Sequence, residues 1–288
     1  MPFLPSENMR YTRIAAYLLT VIAVIFFIST IRPGHDWGGD FALYIAHAKN
    51  IATGHPYADT GFVYNPHEPF LSPRSYPPVF PLILSPVYAA FGLDLHAMKV
   101  ADILIFAVFL LVFFRYTERR LDHGMARITL LAMVAFSPWF WDVKDLILPD
   151  FAFLMFLFIT LMYVDSRLGK GKVAGAVSPA AIITGVLVYL SYGTRSVGMF
   201  LVPAMVLHDL VRFRTLQKST LLVAVLFSAF YLAQNAWLQT DASYLESIES
   251  VAEDELDEPV DGAGNKPAGQ RESMLGCGKP CLIVEELA

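Results

Sequence analysis

Two acids and one arginine stand at the edges of long apolar runs, where a charge is hardest to accommodate. Asp40 closes GHDWGGD, just after the first run. Asp150 follows Pro149 at the mouth of another, and Arg195 lies in GTRSVG between two more. A carboxylate such as Asp40, with glycines before it, could accept a proton from a substrate hydroxyl. It is equally suited to N-cap a helix over 41–53, and the two roles are compatible. An ionisable group at the mouth of an apolar segment marks Asp150 for function, beside the plainer role of capping the helix after Pro149. The planar guanidinium of Arg195 suits a phosphate through paired hydrogen bonds, or it snorkels toward lipid headgroups. Arg74, just ahead of Tyr76-Pro77-Pro78, is a weaker candidate of the same kind. Asp142, Lys144 and Asp145 read as solvated loop charges, and His208 and Asp209 as interfacial. There is no Walker loop, HExxH, GxSxG or metal-spaced histidine cluster, which disfavours those soluble chemistries.

The elements that must hold these residues follow from the apolar pattern. The chain has 288 residues, 56% apolar and 16% charged, with a mean hydropathy of +0.51; a soluble domain carries about 25% charged residues. Runs near 20 apolar residues at 14–31, 97–114, 124–141, 146–164, 173–191, 197–211 and 219–238 predict an all-α polytopic membrane protein with about seven transmembrane helices. The stretch 34–81 is neither span nor tail. Within it Phe41, Ile45, Ala48 and Ala52 recur at helical spacing and Gly54 stands at a C-cap position, which predicts an amphipathic juxtamembrane helix lying at a membrane surface. Residues 1–245 form the membrane domain, with 32–96 as its first outer loop. Residues 246–288 are an acidic tail expected to be disordered. It holds both cysteines, Cys277 and Cys281, a weak metal or disulfide signal.

Charge sets the expected orientation. Residues 239–288 carry 12 of the 26 acids and only 3 of the 21 bases, so the remainder has 18 bases against 14 acids. If the proline-rich run 76–92 does not cross, 12 of those 18 bases gather on one side: Arg10 and Arg13, then a cluster at 115–127, then 167–172, then 212–218. The positive-inside rule then places the N-terminus in the cytoplasm and the loop 34–81 outside, with 139–150 and 192–196 beside it. Four prolines in 76–92 argue independently against a straight spanning helix there.

The order GGDFALYIAHAKNIATGHPY, YPPVFPLILSPVYAAFG, SPWFW…LPDFAFLMFLF and YGTRSVGMFLVPA resembles the N-terminal half of GT-C fold glycosyltransferases, the protein O-mannosyltransferase and aminoarabinose-transferase type, over roughly 10–245. The resemblance implies a bacterial inner-membrane enzyme of the cell envelope. It would move a sugar from a polyprenyl-phosphate donor to a hydroxyl on a glycan, lipid or protein acceptor, outside the cytoplasm and with inversion. Asp40 and Asp150 fall on that family's two essential acids, Asp40 as general base. Arg195, with Arg74 and Tyr76, falls on the side that binds the donor phosphate. Cofactors are none beyond the lipid-linked donor, a divalent metal staying open, and the partners are that donor, its acceptor and membrane lipids, with no nucleic acid. Members of the family are usually longer, so a truncated, non-catalytic remnant is the second reading, and a transporter or flippase the third.

Overall fold

The computed structural model describes residues 6–37, 40–61, 75–167 and 178–238. Helices account for its regular structure, and no strand occurs among the described residues. In chain order they are α1 (Ser6–Ser29), α2 (Asp40–Thr53), α3 (Val79–Phe91), α4 (Leu95–Glu118), α5 (Gly124–Ala135), α6 (Pro138–Val143), α7 (Asp150–Arg167), α8 (Pro179–Thr194), a 3-10 segment Ser196–Phe200 that runs into α9 (Leu201–Phe213), and α10 (Lys218–Leu238). Among the described residues four helices are long and apolar enough to cross a membrane: Met9–Ser29, Leu95–Glu118, Ser196–Phe213 and Lys218–Leu238. Their outer faces carry Ile25, Leu207, Val211, Leu232 and Trp237, each more than half exposed. Apolar surface of that extent would be costly in water and costs little against lipid. The molecule has the character of a multi-pass membrane protein.

α4 lies innermost, between α1, α5 and α7. Phe27 of α1 stacks on Phe106 at 5.1 Å, and Phe106 meets Phe151 of α7 at 4.5 Å. Phe109, Phe113, Phe140 and Phe158 extend this aromatic seam. Offset and edge-on ring pairs of this kind give directional packing where apolar burial alone gives little.

The bundle has two chemically different ends. At one, Arg13 of α1 bonds Glu118 at 2.8 Å, Arg119 bonds the Met162 carbonyl at 3.2 Å, and Arg120 pairs with Asp165 at 3.5 Å. At the other lie Asp40, Asp150, Arg195 and the loop after α1. The expected span 124–141 is two helices rather than one, because Pro138 cannot continue α5 and the chain breaks at Phe136 and Ser137. Together α5 and α6 still run the length of α1. A Cβ on Gly124 would meet Thr12 at 2.8 Å, while Lys144 reaches the Thr30 carbonyl at 2.8 Å.

Inside the proline-rich run 76–92 only the 13-residue helix α3 forms. At 1.5 Å per residue it is about 20 Å long, short of the roughly 30 Å hydrocarbon core. Helix α2 matches its expected bounds. Gly54 ends it at φ +74°, and the His55 N–H bonds the Asn50 carbonyl at 2.9 Å, the Schellman closure. Its environment differs from expectation. Ala42 to Ala48 are all buried, so α2 is wrapped by α3 and the segment 55–60 rather than laid on a surface with one face free.

Candidate active site

Asp40 is the first residue of α2, and its carboxylate accepts a hydrogen bond from the Tyr76 hydroxyl. Tyr76 is itself gripped through its main chain. The Tyr57 hydroxyl donates to its carbonyl at 2.8 Å, and its N–H donates to His47 Nε2 at 3.3 Å. His47 Nδ1 lies 2.8 Å from the Tyr57 carbonyl, which can only accept, so Nδ1 carries the proton and Nε2 is bare. That tautomer serves both neighbours at once. The His47 ring is wholly buried and stacks on Tyr57 at 4.1 Å. Burial pushes its pKa down to about 4 and raises that of the Tyr57 phenol well above its ordinary value. Asn50 ties the turn below, donating to the carbonyls of Pro56 and Asp59 at 3.0 and 2.7 Å. His47 and Asn50 of α2, with Tyr57 of the turn that follows it, thus build the seat on which Tyr76 meets Asp40.

The second half of the site comes from α7 and the turn after α8. Asp150 opens α7, and its Oδ1 pairs with Arg195 Nη1. This answers the question that an arginine on the less basic side raises, since its charge is compensated inside the protein by Asp150. Arg195 keeps a side chain 43% exposed, and the remaining N–H groups of its guanidinium make no hydrogen bond among the described residues. The turn that presents it depends on two glycines. A Cβ on Gly198 would lie 2.5 Å from the Ser191 carbonyl carbon, and one on Gly193 would lie 2.2 Å from Val79 of α3. The 3-10 segment therefore lies directly on the backbone of α8, and α8 directly on α3.

A third acid, Asp102, lies in α4. Asp102 is fully buried, and neither carboxylate oxygen has a hydrogen-bond partner among the described residues. Sequence reading passed over it as part of an apolar span. An acid at the sixth position of the expected span 97–114 was the available signal.

The loop charges read as solvated are largely buried, and this corrects the expectation. Lys144 is 0% exposed and Asp145 6%. Asp145 receives the Arg32 N–H at 2.9 Å and Arg32 Nε at 2.8 Å, pairs with Lys144, and lies 3.8 Å from Lys99 Nζ. Burial disfavours its charge, yet the bonds from Lys144 and Arg32 outweigh that and hold its carboxyl below the usual range. Lys99, 2% exposed, donates to the carbonyls of Arg32 and Gly34 at 2.9 and 2.6 Å. Only Asp142 keeps an exposed side chain, bonded to Arg32 at 3.0 Å. The knot pins the chain just before Asp40 to the chain just before Asp150. Between the knot and Asp150 the fully buried Ile147 is held at φ +46°, a costly conformation for a β-branched residue.

Of the predicted residues, Asp40 and Tyr76 meet, Asp150 and Arg195 meet, and the two pairs lie at one end of the bundle. Tyr76 gives its hydroxyl to Asp40. Arg74, Cys277, Cys281 and the acidic tail lie outside the described residues. At the opposite end Asp209 is buried and accepts the Gln217 N–H at 3.1 Å. Among the described residues no group of three or more His, Cys, Asp or Glu side chains is spaced to hold a metal ion. Comparison with protein-family models, curated proteins and solved structures found no match.

Proposed function

We propose that this chain is a membrane glycosyltransferase of the GT-C type, transferring a sugar from a polyprenyl-phosphate donor to an acceptor hydroxyl. The observation that carries the reading is the convergence of Asp40–Tyr76 and Asp150–Arg195, from four distant stretches, at one end of an apolar helical bundle. Asp40 takes the proton of the acceptor hydroxyl, whose oxygen attacks the anomeric carbon from the face opposite the departing phosphate. The carbon–oxygen bond to phosphate breaks, and the configuration inverts. Tyr76 orients the carboxylate through its hydroxyl. The unused N–H groups of Arg195 stabilise the charge that grows on the leaving phosphate, while Asp150 holds the guanidinium in place. Seven traverses of the bundle, with α5 and α6 sharing one, and an N-terminus in the cytoplasm put this site on the outer face. α2 and α3 then cap the bundle there without crossing.

Transfer from a radiolabelled polyprenyl-phosphate sugar in membranes containing the chain tests this. Asp40→Asn should lower transfer by at least about 100-fold, the usual scale of general-base loss, with insertion unchanged. Arg195→Gln should cost about 100-fold, as removal of one transition-state donor does. Full transfer by Asp40→Asn would sink the base assignment. A transporter is a further reading, favoured by one observation: Asp102, an acid within a spanning helix whose carboxylate has no hydrogen-bond partner among the described residues. Asp102→Asn separates the two, since it should abolish proton-coupled transport but leave a measurable rate of sugar transfer.

A further inference from the structure

At the end of the bundle away from Asp40, a cavity of about 220 Å³ opens between α7, α9 and α10. Its inner wall is apolar, made by Leu161 and Val164 of α7 with Leu201 and Met205 of α9. Its mouth carries Arg120 and Arg212. The two arginines differ in what they do. Arg120 pairs with Asp165 at 3.5 Å, so its charge is largely answered. Arg212 makes no ion pair among the described residues, its guanidinium lying only over the Phe213 ring at 5.7 Å. The other acid of the lining, Asp209, is buried, accepts the Gln217 N–H at 3.1 Å and lies 3.6 Å from His208 Nδ1, and no ion pair joins it to Arg212 among the described residues. Arg214 and Lys218, both exposed, follow on the same turn and add positive charge beside the mouth.

We propose that this cavity binds an anionic phospholipid, with the start of one acyl chain against the apolar wall and the phosphate on Arg212. An apolar slot lined by a guanidinium that makes no ion pair among the described residues, at the end of apolar helices, offers a phosphodiester and its chain what neither water nor a neutral lipid supplies. A zwitterionic headgroup would bring a cation toward Arg214 and Lys218, so the charge pattern selects a net negative one. The site is separate from Asp40 and Asp150, and it stands whether or not the chain transfers sugar.

Native mass spectrometry of the full chain in detergent, titrated with phosphatidylglycerol or with phosphatidylcholine of the same acyl chains, tests it. Phosphatidylglycerol should be retained several-fold more than phosphatidylcholine. Arg212→Gln should reduce that retention about fivefold or more, and so should Ala204→Trp, which fills the cavity from an exposed position on α9. Arg10→Gln, which removes a charge at the same end away from the cavity, should leave it unchanged. Thermal midpoints without lipid establish that the variants are folded. Equal retention of the two lipids would overturn the proposal, as would a loss in Arg10→Gln matching that in Arg212→Gln. Displacement of the lipid by millimolar inorganic phosphate would also overturn it, pointing instead to a soluble phosphate ligand.

Discussion

Tyr76 is held at its carbonyl, its N–H and its hydroxyl, and the first two bonds come from residues whose only evident task is to position it. If that is so, Tyr57→Phe should cost about 1–3 kcal/mol, because the buried Tyr76 carbonyl loses its donor and gains nothing. A thermal midpoint in detergent reads this loss, and an unchanged midpoint would mean that the clamp contributes nothing. His47 adds a pH dependence with a definite sign. Its folded pKa, about 4, lies below the ordinary 6.5, so the fold prefers the neutral ring. The associated stability is fully present above pH 6.5 and is lost as pH falls toward 4, by up to about 3 kcal/mol in all. His47→Gln should flatten the midpoint-against-pH curve in that window. Asp145, whose carboxyl is also depressed, contributes stability that is lost only below its ordinary 3.8, so the two windows separate. At this scale the sequence disclosed Asp40, Asp150 and Arg195, because charge beside an apolar run is conspicuous. His47, Tyr57 and Asn50 escaped notice, because their roles are bonds to the main chain of a segment far along the sequence. Lys144 and Asp145 were misread for a related reason: nothing in DVKD tells that Arg32, more than a hundred residues earlier, will bury them.

Between the helices, two junctions decide whether the halves of the site stay together. The first is the contact of the 3-10 segment with α8. A methyl on Gly198 would collide with backbone atoms of Ser191 and Tyr192, which cannot rotate away as a side chain can. Gly198→Ala should therefore destabilise by about 1–3 kcal/mol, the range for overpacking, and carry Arg195 off Asp150. The readout is a lowered midpoint together with a loss of transfer matching that of Arg195→Gln. A normal midpoint would mean that the segment shifts freely. The second junction is the buried knot around Asp145. Asp145→Asn leaves Lys144 and Lys99 buried against a neutral amide, and removing one partner of a buried ion pair costs about 3–5 kcal/mol. It should destabilise more than any single change at the exposed Asp142. Helix existence was readable from apolar length almost everywhere, and Gly54 marked the end of α2 correctly. The break at Ser137–Pro138 was readable too, yet an unbroken apolar count across 124–141 concealed it. The burial of α2 on every side was not readable, since a small-residue helix of the type AHAKNIA looks amphipathic until its partner α3 is known.

For the molecule as a whole, the separation of charge between two ends is what ties fold to membrane. Arg13, Arg119 and Arg120 gather at one end through bonds among α1, α4 and α7, and Arg212 lines a cavity with Arg120, so three of the four sequence clusters meet at one end. Whether 76–92 crosses is then a question about two sites on the chain. α3 is about 20 Å long and packs on α2 at the end that holds Asp40, so the non-crossing reading expects Asp36 before α2 and Asp94 after α3 on the same side. Single cysteines at Asp36, Asp59 and Asp94, in a chain with Cys277 and Cys281 replaced by serine, should all react with a membrane-impermeant maleimide applied to intact cells. Cysteines at Met9, Asp122 and Thr215 should stay unlabelled until the membrane is opened. Asp36 and Asp94 labelled from opposite sides would mean that α3 crosses after all, and Asp40 and Asp150 would then have to reach each other through the membrane. Uniform labelling of the second set from outside would reverse the orientation but leave the two-ended bundle intact. In that case the site would face the cytoplasm, where a soluble activated sugar rather than a lipid-linked one becomes the reasonable donor to test.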